Sequence, residues 1–198
     1  MGGLEMNIAV YAASGSKPAS AYHEAASRLG RLIAQGGHTM IYGGGSSGLM
    51  GDCAGAALEA SGKVIGIAPR FFDEDGMLLH SCTELFYTNT IAERKTAMED
   101  MADAFIILPG GIGTMEEFFE TYTLKQLGMH SKPIALINTL GFYEPIRAFL
   151  RSAADGGFMG SGCLELVRFC ESPEQAVEYA VSAPKATGNL RRLQDYGK

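Results

Sequence analysis

Phe105-Ile106-Ile107-Leu108-Pro109-Gly110-Gly111-Ile112-Gly113-Thr114 runs from an unbroken apolar segment into a proline, a cluster of glycines and then a helical pattern. A short, continuously apolar stretch is what a central strand covered on both faces requires. Proline ends it, and the glycines turn the chain into the next helix. The same unit recurs along the chain. Strands are expected at residues 7–13, 39–42, 63–68, 84–87, 104–108, 133–138 and 165–169, and helices at 20–35, 49–60, 91–102, 115–127, 142–154 and 173–181. Alternating β and α units predict a mostly parallel sheet of about seven strands with helices on both sides. Ser14-Gly15, Gly43-Gly44-Gly45 and Gly110-Gly111 mark strand-to-helix transitions. All three fall on the carboxyl edge of such a sheet, where ligands bind.

The rest of the composition fits that frame. The chain has 198 residues, 46% of them hydrophobic, enough for one compact domain over residues 1–183 with a weakly periodic tail at 184–198. Cys53, Cys82, Cys163 and Cys170 show no C-x-x-C spacing, so reduced thiols and a cytoplasmic location are expected. Residues 1–6 lack a basic segment followed by an apolar stretch, so no secretory leader is expected. No apolar run approaches the ~18 residues of a membrane span. A net charge of −6 argues against nucleic acid as partner, but not against a small phosphorylated ligand that needs one local positive site. His23, His38, His80 and His130 form no ligand cluster and read as surface or loop residues, so no metal is expected. The polar stretch 71–82 reads as either a flap or a long connection.

Two readings of the loop at 110–114 stand side by side. It is either an ordinary glycine-rich turn or an anion site, in which unpaired amides and the helix dipole meet a phosphate. Neither a Walker A loop nor G-x-G-x-x-G is present. Thr114 can cap the helix or donate its hydroxyl to a phosphate oxygen. In the helix that follows, Met115, Phe118, Phe119 and Tyr122 form the core stripe, which leaves Glu116, Glu117 and Glu120 on the remaining surface with Thr123 at its margin. Carboxylates in a first turn complement the dipole, yet beside an anion site they would repel a phosphate unless they address another part of the ligand. Upstream, Thr90-Ile91-Ala92-Glu93 has the capping-box pattern. Arg94 and Lys95 fall in the same sector as Ile91, Met98 and Ala102. They either snorkel to water or face a phosphate, a ribose or a carboxylate.

Taken together, P-G-G-x-G-T-x-x-E at 109–117 with Arg94-Lys95 upstream resembles the LOG family, the cytokinin riboside 5′-monophosphate phosphoribohydrolases long mislabelled as lysine decarboxylases. Supporting matches are Tyr42-Gly43-Gly44-Gly45-Ser46-Ser47-Gly48-Leu49-Met50-Gly51 and Gln126-Leu127-Gly128, and the likeness spans residues 8–158. The resemblance implies a Rossmann-like three-layer sandwich, a homodimer or higher homo-oligomer, and no cofactor. It implies hydrolysis of the N-glycosidic bond of a nucleoside 5′-monophosphate, giving free base and ribose 5-phosphate. It places Arg94 and Glu117 as the catalytic pair, and substrate contacts at Glu84, Lys95, Gly110, Gly111, Ile112, Gly113, Thr114, Met115, Glu116 and Thr123. Two departures, Ile91-Ala92 for Met-His and Ala13-Ser14-Gly15-Ser16 for Cys-Gly-Ser-Ser, bear on base selectivity. Glu116 and Glu117 point about 100° apart, so spacing alone leaves both as candidates for the carboxylate that faces the sugar. Three other activities compete: a broader nucleotide nucleosidase, a non-catalytic carrier of a nucleotide or of molybdenum cofactor, and, weakest, lysine decarboxylation.

Overall fold

A computed structural model describes residues 5–183. Seven strands form one sheet in the order β4-β3-β2-β1-β5-β6-β7, every neighbouring pair parallel. They are β1 (Asn7–Tyr11), β2 (Thr39–Tyr42), β3 (Lys63–Pro69), β4 (Glu84–Thr88), β5 (Ala104–Ile107), β6 (Ile134–Ile137) and β7 (Arg168–Cys170). The helices are α1 (Ser20–Gln35), α2 (Gly48–Glu59), α3 (Arg70–Glu74), α4 (Ile91–Met101), α5 (Ile112–Gln126), α6 (Glu144–Asp155) and α7 (Pro173–Ser182). The expected tail from residue 184 lies outside the described residues.

The apolar runs behave as central strands do. All four residues of β2, β5 and β6 are buried. One face of the sheet packs Leu29 and Ile33 of α1, Leu49 and Cys53 of α2, and Ala176 and Ala180 of α7. The other packs Met98 of α4, Phe118 and Tyr122 of α5, and Leu150 of α6. Together these make three layers, the Rossmann-like arrangement. β1 pairs with both β2 and β5, so the chain winds outward in opposite directions from this one strand. The loops leaving β1 and β5 therefore diverge, and a crevice opens between them.

Four local expectations are corrected. Residues 165–167 are not strand: a 3-10 turn spans Ser161–Leu166, and β7 begins at Arg168. Cys163, Leu164 and Leu166 reach the core from that turn, and the Tyr122 hydroxyl donates to the Cys163 carbonyl at 2.9 Å, so the apolar pattern is met without a ladder. Helix α5 starts at Ile112 rather than at 115, because extended Gly111 is its N-cap and its carbonyl accepts from the Met115 amide at 3.0 Å. α6 starts at Glu144, since Asn138 Oδ1 accepts the Tyr143 amide at 2.8 Å and holds the preceding residues in a turn. β1 ends at Tyr11 instead of 13, freeing Ala12 and Ala13 to line the crevice.

Candidate active site

A cavity of about 850 Å³ opens where the carboxyl ends of β1, β2, β3 and β5 meet. Its floor is the pair of diverging loops, joined where the Ala13 amide donates to the Pro109 carbonyl at 3.2 Å. One wall is the start of α5. Gly111 caps that helix with no side-chain bond, and Gly111, Ile112, Gly113 and Thr114 all line the cavity. Amides in a first helical turn have no partner within the helix, and the dipole adds positive potential there. Thr114 does not cap the helix. Its hydroxyl lies where a Cβ on Gly110 would sit, 2.1 Å away, so Gly110 must lack a side chain for the turn to close. A second glycine loop faces the first: Ser47 Oγ donates to the Ser14 carbonyl at 3.0 Å, and Gly43, Gly45, Ser47 and Met50 complete that side.

The chemistry lies between the walls. Arg94 Nη2 donates to Glu117 Oε1 at 2.6 Å, with side-chain exposures of 11% and 10%. The capping box at Thr90 sets the start of α4: the Glu93 amide donates to Thr90 Oγ1 at 3.0 Å, and Glu93 Oε2 accepts the Asn89 amide at 2.8 Å. Arg94 then enters on the first turn. Its guanidinium passes so close to β2's terminal loop that a Cβ on Gly43 would stand 2.3 Å from Nη2. Arg94 Nε is buried without a protein partner. Glu117 is buried, not on the outer surface as its spacing suggested. Burial pushes its carboxyl above the ordinary carboxylate range, the Arg94 guanidinium opposes that rise, and the Glu116 carboxylate adds to it. The dipole does less for Glu117 than for a first-turn residue, because it sits in the second turn of α5.

Of the other expected site residues, Glu116 lines the cavity from an exposed position. Lys95 does not line it: its ammonium bridges α4 to α5 by pairing with Glu116 and, at 2.6 Å, with Glu120. Met115 packs into the core beside Phe118, and Thr123 is exposed away from the cavity. Glu84 is also elsewhere. It opens β4 at the amino edge of the sheet, where it pairs with Lys63 at 2.8 Å, while the cavity is at the carboxyl edge. Ten residues before Arg94 is simply one strand length too far.

Other parts of the site were not singled out from the sequence. Segment 71–82 is no free flap: Leu78 bridges Gly45, the Ser46 amide donates to the Met77 carbonyl at 2.9 Å, and Phe72 and Met77 face the cavity. Apolar residues inside an otherwise polar loop were the available signal. Ile91, read as part of an inward stripe, is an exposed lining residue. Among the described residues, no group of three or more His, Cys, Asp or Glu side chains could hold a metal, and the four cysteines are free thiols. His38 lies in a loop yet is buried. No helix among the described residues is long and apolar enough to cross a membrane.

Residues 50–180 match the family model described as "Possible lysine decarboxylase". The chain is 36% identical over 189 residues to the cytokinin riboside 5′-monophosphate phosphoribohydrolase LOG2 of Arabidopsis thaliana, covering 96% of this chain and 83% of the relative. It is 39% identical over 164 residues to the enzyme of that name from Rhodococcoides fascians, covering 82% of each. The corresponding protein of Mycobacterium tuberculosis is 35% identical over 173 residues, 87% of this chain and 92% of the relative. Among solved structures, a molybdenum cofactor binding protein from Rippkaea orientalis superposes with a TM-score of 0.67 at 22% identity, covering 88% of this chain and 94% of that one. At that identity the likeness speaks for the fold alone.

Proposed function

The chain belongs to the family of the cytokinin riboside 5′-monophosphate phosphoribohydrolases, and from that membership we propose that it hydrolyses a cytokinin-type nucleoside 5′-monophosphate to free base and ribose 5-phosphate. The observation that carries the reading is the buried Arg94–Glu117 pair, set in one cavity beside a helix start whose N-cap, Gly111, offers no side chain. A carrier has no use for a carboxylate held this way, and a hydrolase of N-glycosidic bonds does.

In this reading the 5′-phosphate lies against the amides that open α5, with Gly110, Gly111 and Gly113 letting it approach the backbone. The sugar then lies over Glu117 and the base over the apolar side chains of Phe72, Met77 and Ile91. As the bond from C1′ to the base nitrogen breaks, its electron pair leaves with the base and positive charge grows on the ribose. The Glu117 carboxylate stabilises that charge and receives a proton from the attacking water, whose oxygen bonds to C1′. The departing nitrogen takes a proton from solvent, and Glu117 later returns to solvent the one it received, which completes the balance. Arg94 holds the carboxylate in place. Lys95 would act on substrate only through Glu116. No cofactor is required.

We further propose that residues 1–183 act as one nucleotide-binding domain, cytoplasmic in location and assembled as a homodimer or higher oligomer. A panel of nucleoside 5′-monophosphates against matched nucleosides tests the activity, with released base as the readout. Isopentenyl-AMP should be cleaved and its nucleoside should not. Cleavage of nucleosides alone would remove the phosphate from the reading, and equal rates on AMP and isopentenyl-AMP would remove cytokinin preference.

A further inference from the structure

The apolar wall of the cavity is built on a helix that packing alone does not hold. Phe71 and Phe72 follow one another on α3, about 100° apart around its axis. Phe72 lines the cavity, whereas Phe71 is exposed and meets it edge to face, with ring centroids 4.8 Å apart. No residue of this five-residue helix is buried. Burial therefore does little to fix its roll, and a roll by one position would exchange the two rings.

Asp73 supplies the missing hold. Its Oδ2 accepts the Tyr87 hydroxyl at 2.7 Å, which ties α3 to the edge strand β4. Its Oδ1 lies 2.9 Å from His80 Nε2, so the same carboxylate also grips the returning chain. The Arg70 guanidinium backs this contact, 5.1 Å from the centroid of the Tyr87 ring. Residues 73–80 thus close into a loop. Its turn is tight: the Gly76 amide donates to the Asp73 carbonyl at 3.0 Å, and the Met77 amide to the Phe72 carbonyl at 3.1 Å. Phe72, Met77 and Leu78 line the cavity from this loop, while Asp73, Tyr87 and His80 do not. On the inner side, the Met77 carbonyl accepts both the Ser46 amide at 2.9 Å and the Ser46 hydroxyl at 3.0 Å. The wall therefore has two pins, one on the glycine loop after β2 and one on Asp73.

We infer that Asp73 is a positioning residue for the base side of the site. By fixing the roll of α3 it keeps Phe72 and Met77 turned inward, and so sets how tightly the cavity holds a base with an apolar substituent. Asp73 acts through these side chains and does not touch the ligand. The phosphate and sugar are placed against α5 and Glu117, which Asp73 does not contact, so its influence is confined to the base. This role rests on the placement of the base proposed above.

The test is calorimetric binding of isopentenyl-AMP and of ribose 5-phosphate to the full chain carrying Glu117→Gln, in which the nucleotide should persist. Adding Asp73→Ala should weaken isopentenyl-AMP by about fivefold or more and leave ribose 5-phosphate within about twofold. Tyr87→Phe, which keeps the ring beside Arg70 and removes one donor, should act the same way. Asp73→Asn, which keeps an acceptor for Tyr87, should lose less than Asp73→Ala. With Glu117 intact, Asp73→Ala should raise KM for isopentenyl-AMP by a similar factor and leave kcat within about twofold. Unchanged affinity for isopentenyl-AMP overturns the inference. So does an equal loss for ribose 5-phosphate, the mark of a site that has merely loosened. If the wild type binds isopentenyl-AMP yet releases no base, the functional reading fails while the binding arm still decides the inference. A chain that binds no nucleotide, with or without Glu117, overturns both.

Discussion

At the scale of single residues, Glu116 and Glu117 are told apart by their surroundings, and the role proposed for Glu117 rests on that difference. The two differ by about 100° around α5, and only the roll of that helix on the sheet selects one. Phe118, Thr121 and Tyr122 are buried against the sheet, which turns Glu117 inward to Arg94 and leaves Glu116 at the rim with Lys95. Glu117→Gln should therefore reduce base release by about 10²–10⁴, whereas Glu116→Gln should cost less than about tenfold. Reversed losses in a steady-state assay would exchange their roles. The pH dependence follows from burial. The folded protein favours the protonated Glu117 carboxyl, and the proposed mechanism uses the carboxylate, so activity should be lost as pH falls through a midpoint above the ordinary value of ~4.3. A profile of kcat/KM that stays flat down to pH 4.5 would contradict this. Periodicity could not link the two, because 23 positions separate Arg94 from Glu117; only the family resemblance named them together, and the burial that shifts Glu117 was not legible at all.

At the scale of elements, the legible parts were those with a strong repeating pattern. β5 and β6 read as buried strands because every side chain is apolar, and α1 kept the expected bounds of 20–35. Short or mixed segments were harder. β7 is three residues long, and α3 is a single turn inside a stretch whose composition looks like loop. Helix α5 holds a further surprise at its far end, where Lys125 is only 6% exposed. Burial lowers its ammonium from 10.5 to about 8. Between those values the unfolded chain binds more protons than the folded one, so this group lets stability rise with pH across that window. Below it, the buried charge costs on the order of 3 kcal/mol. Lys125→Met should accordingly raise Tm at pH 7 by several degrees, with the gain shrinking toward pH 10. Thermal melts at both pH values measure it, and a loss of stability at pH 7 would mean that the amine has a stabilising partner.

At the scale of the whole molecule, the alternation of strands and helices foretold the sheet, its carboxyl-edge cavity and the layers around it. It did not foretell which surfaces meet other chains. Ile112, Phe158 and Leu140 are each more than 70% exposed, Ile112 at the cavity. For the homo-oligomer proposed above, sedimentation at micromolar concentration should show a dimer or larger species; a monomer would refute it. The strand order has a further consequence. Arg94 rides on α4, which crosses back from the edge strand β4 on one side of β1, and Glu117 rides on α5, which follows β5 on the other. Each winding contributes one member of the Arg94–Glu117 pair, and neither holds both. Separating the chain at that seam would divide Arg94 from Glu117, so neither piece alone should release base from a nucleotide. The rim residues Phe72, Met77 and Ile91 line the cavity apart from that pair, so substitutions there change the lining and leave the pair whole.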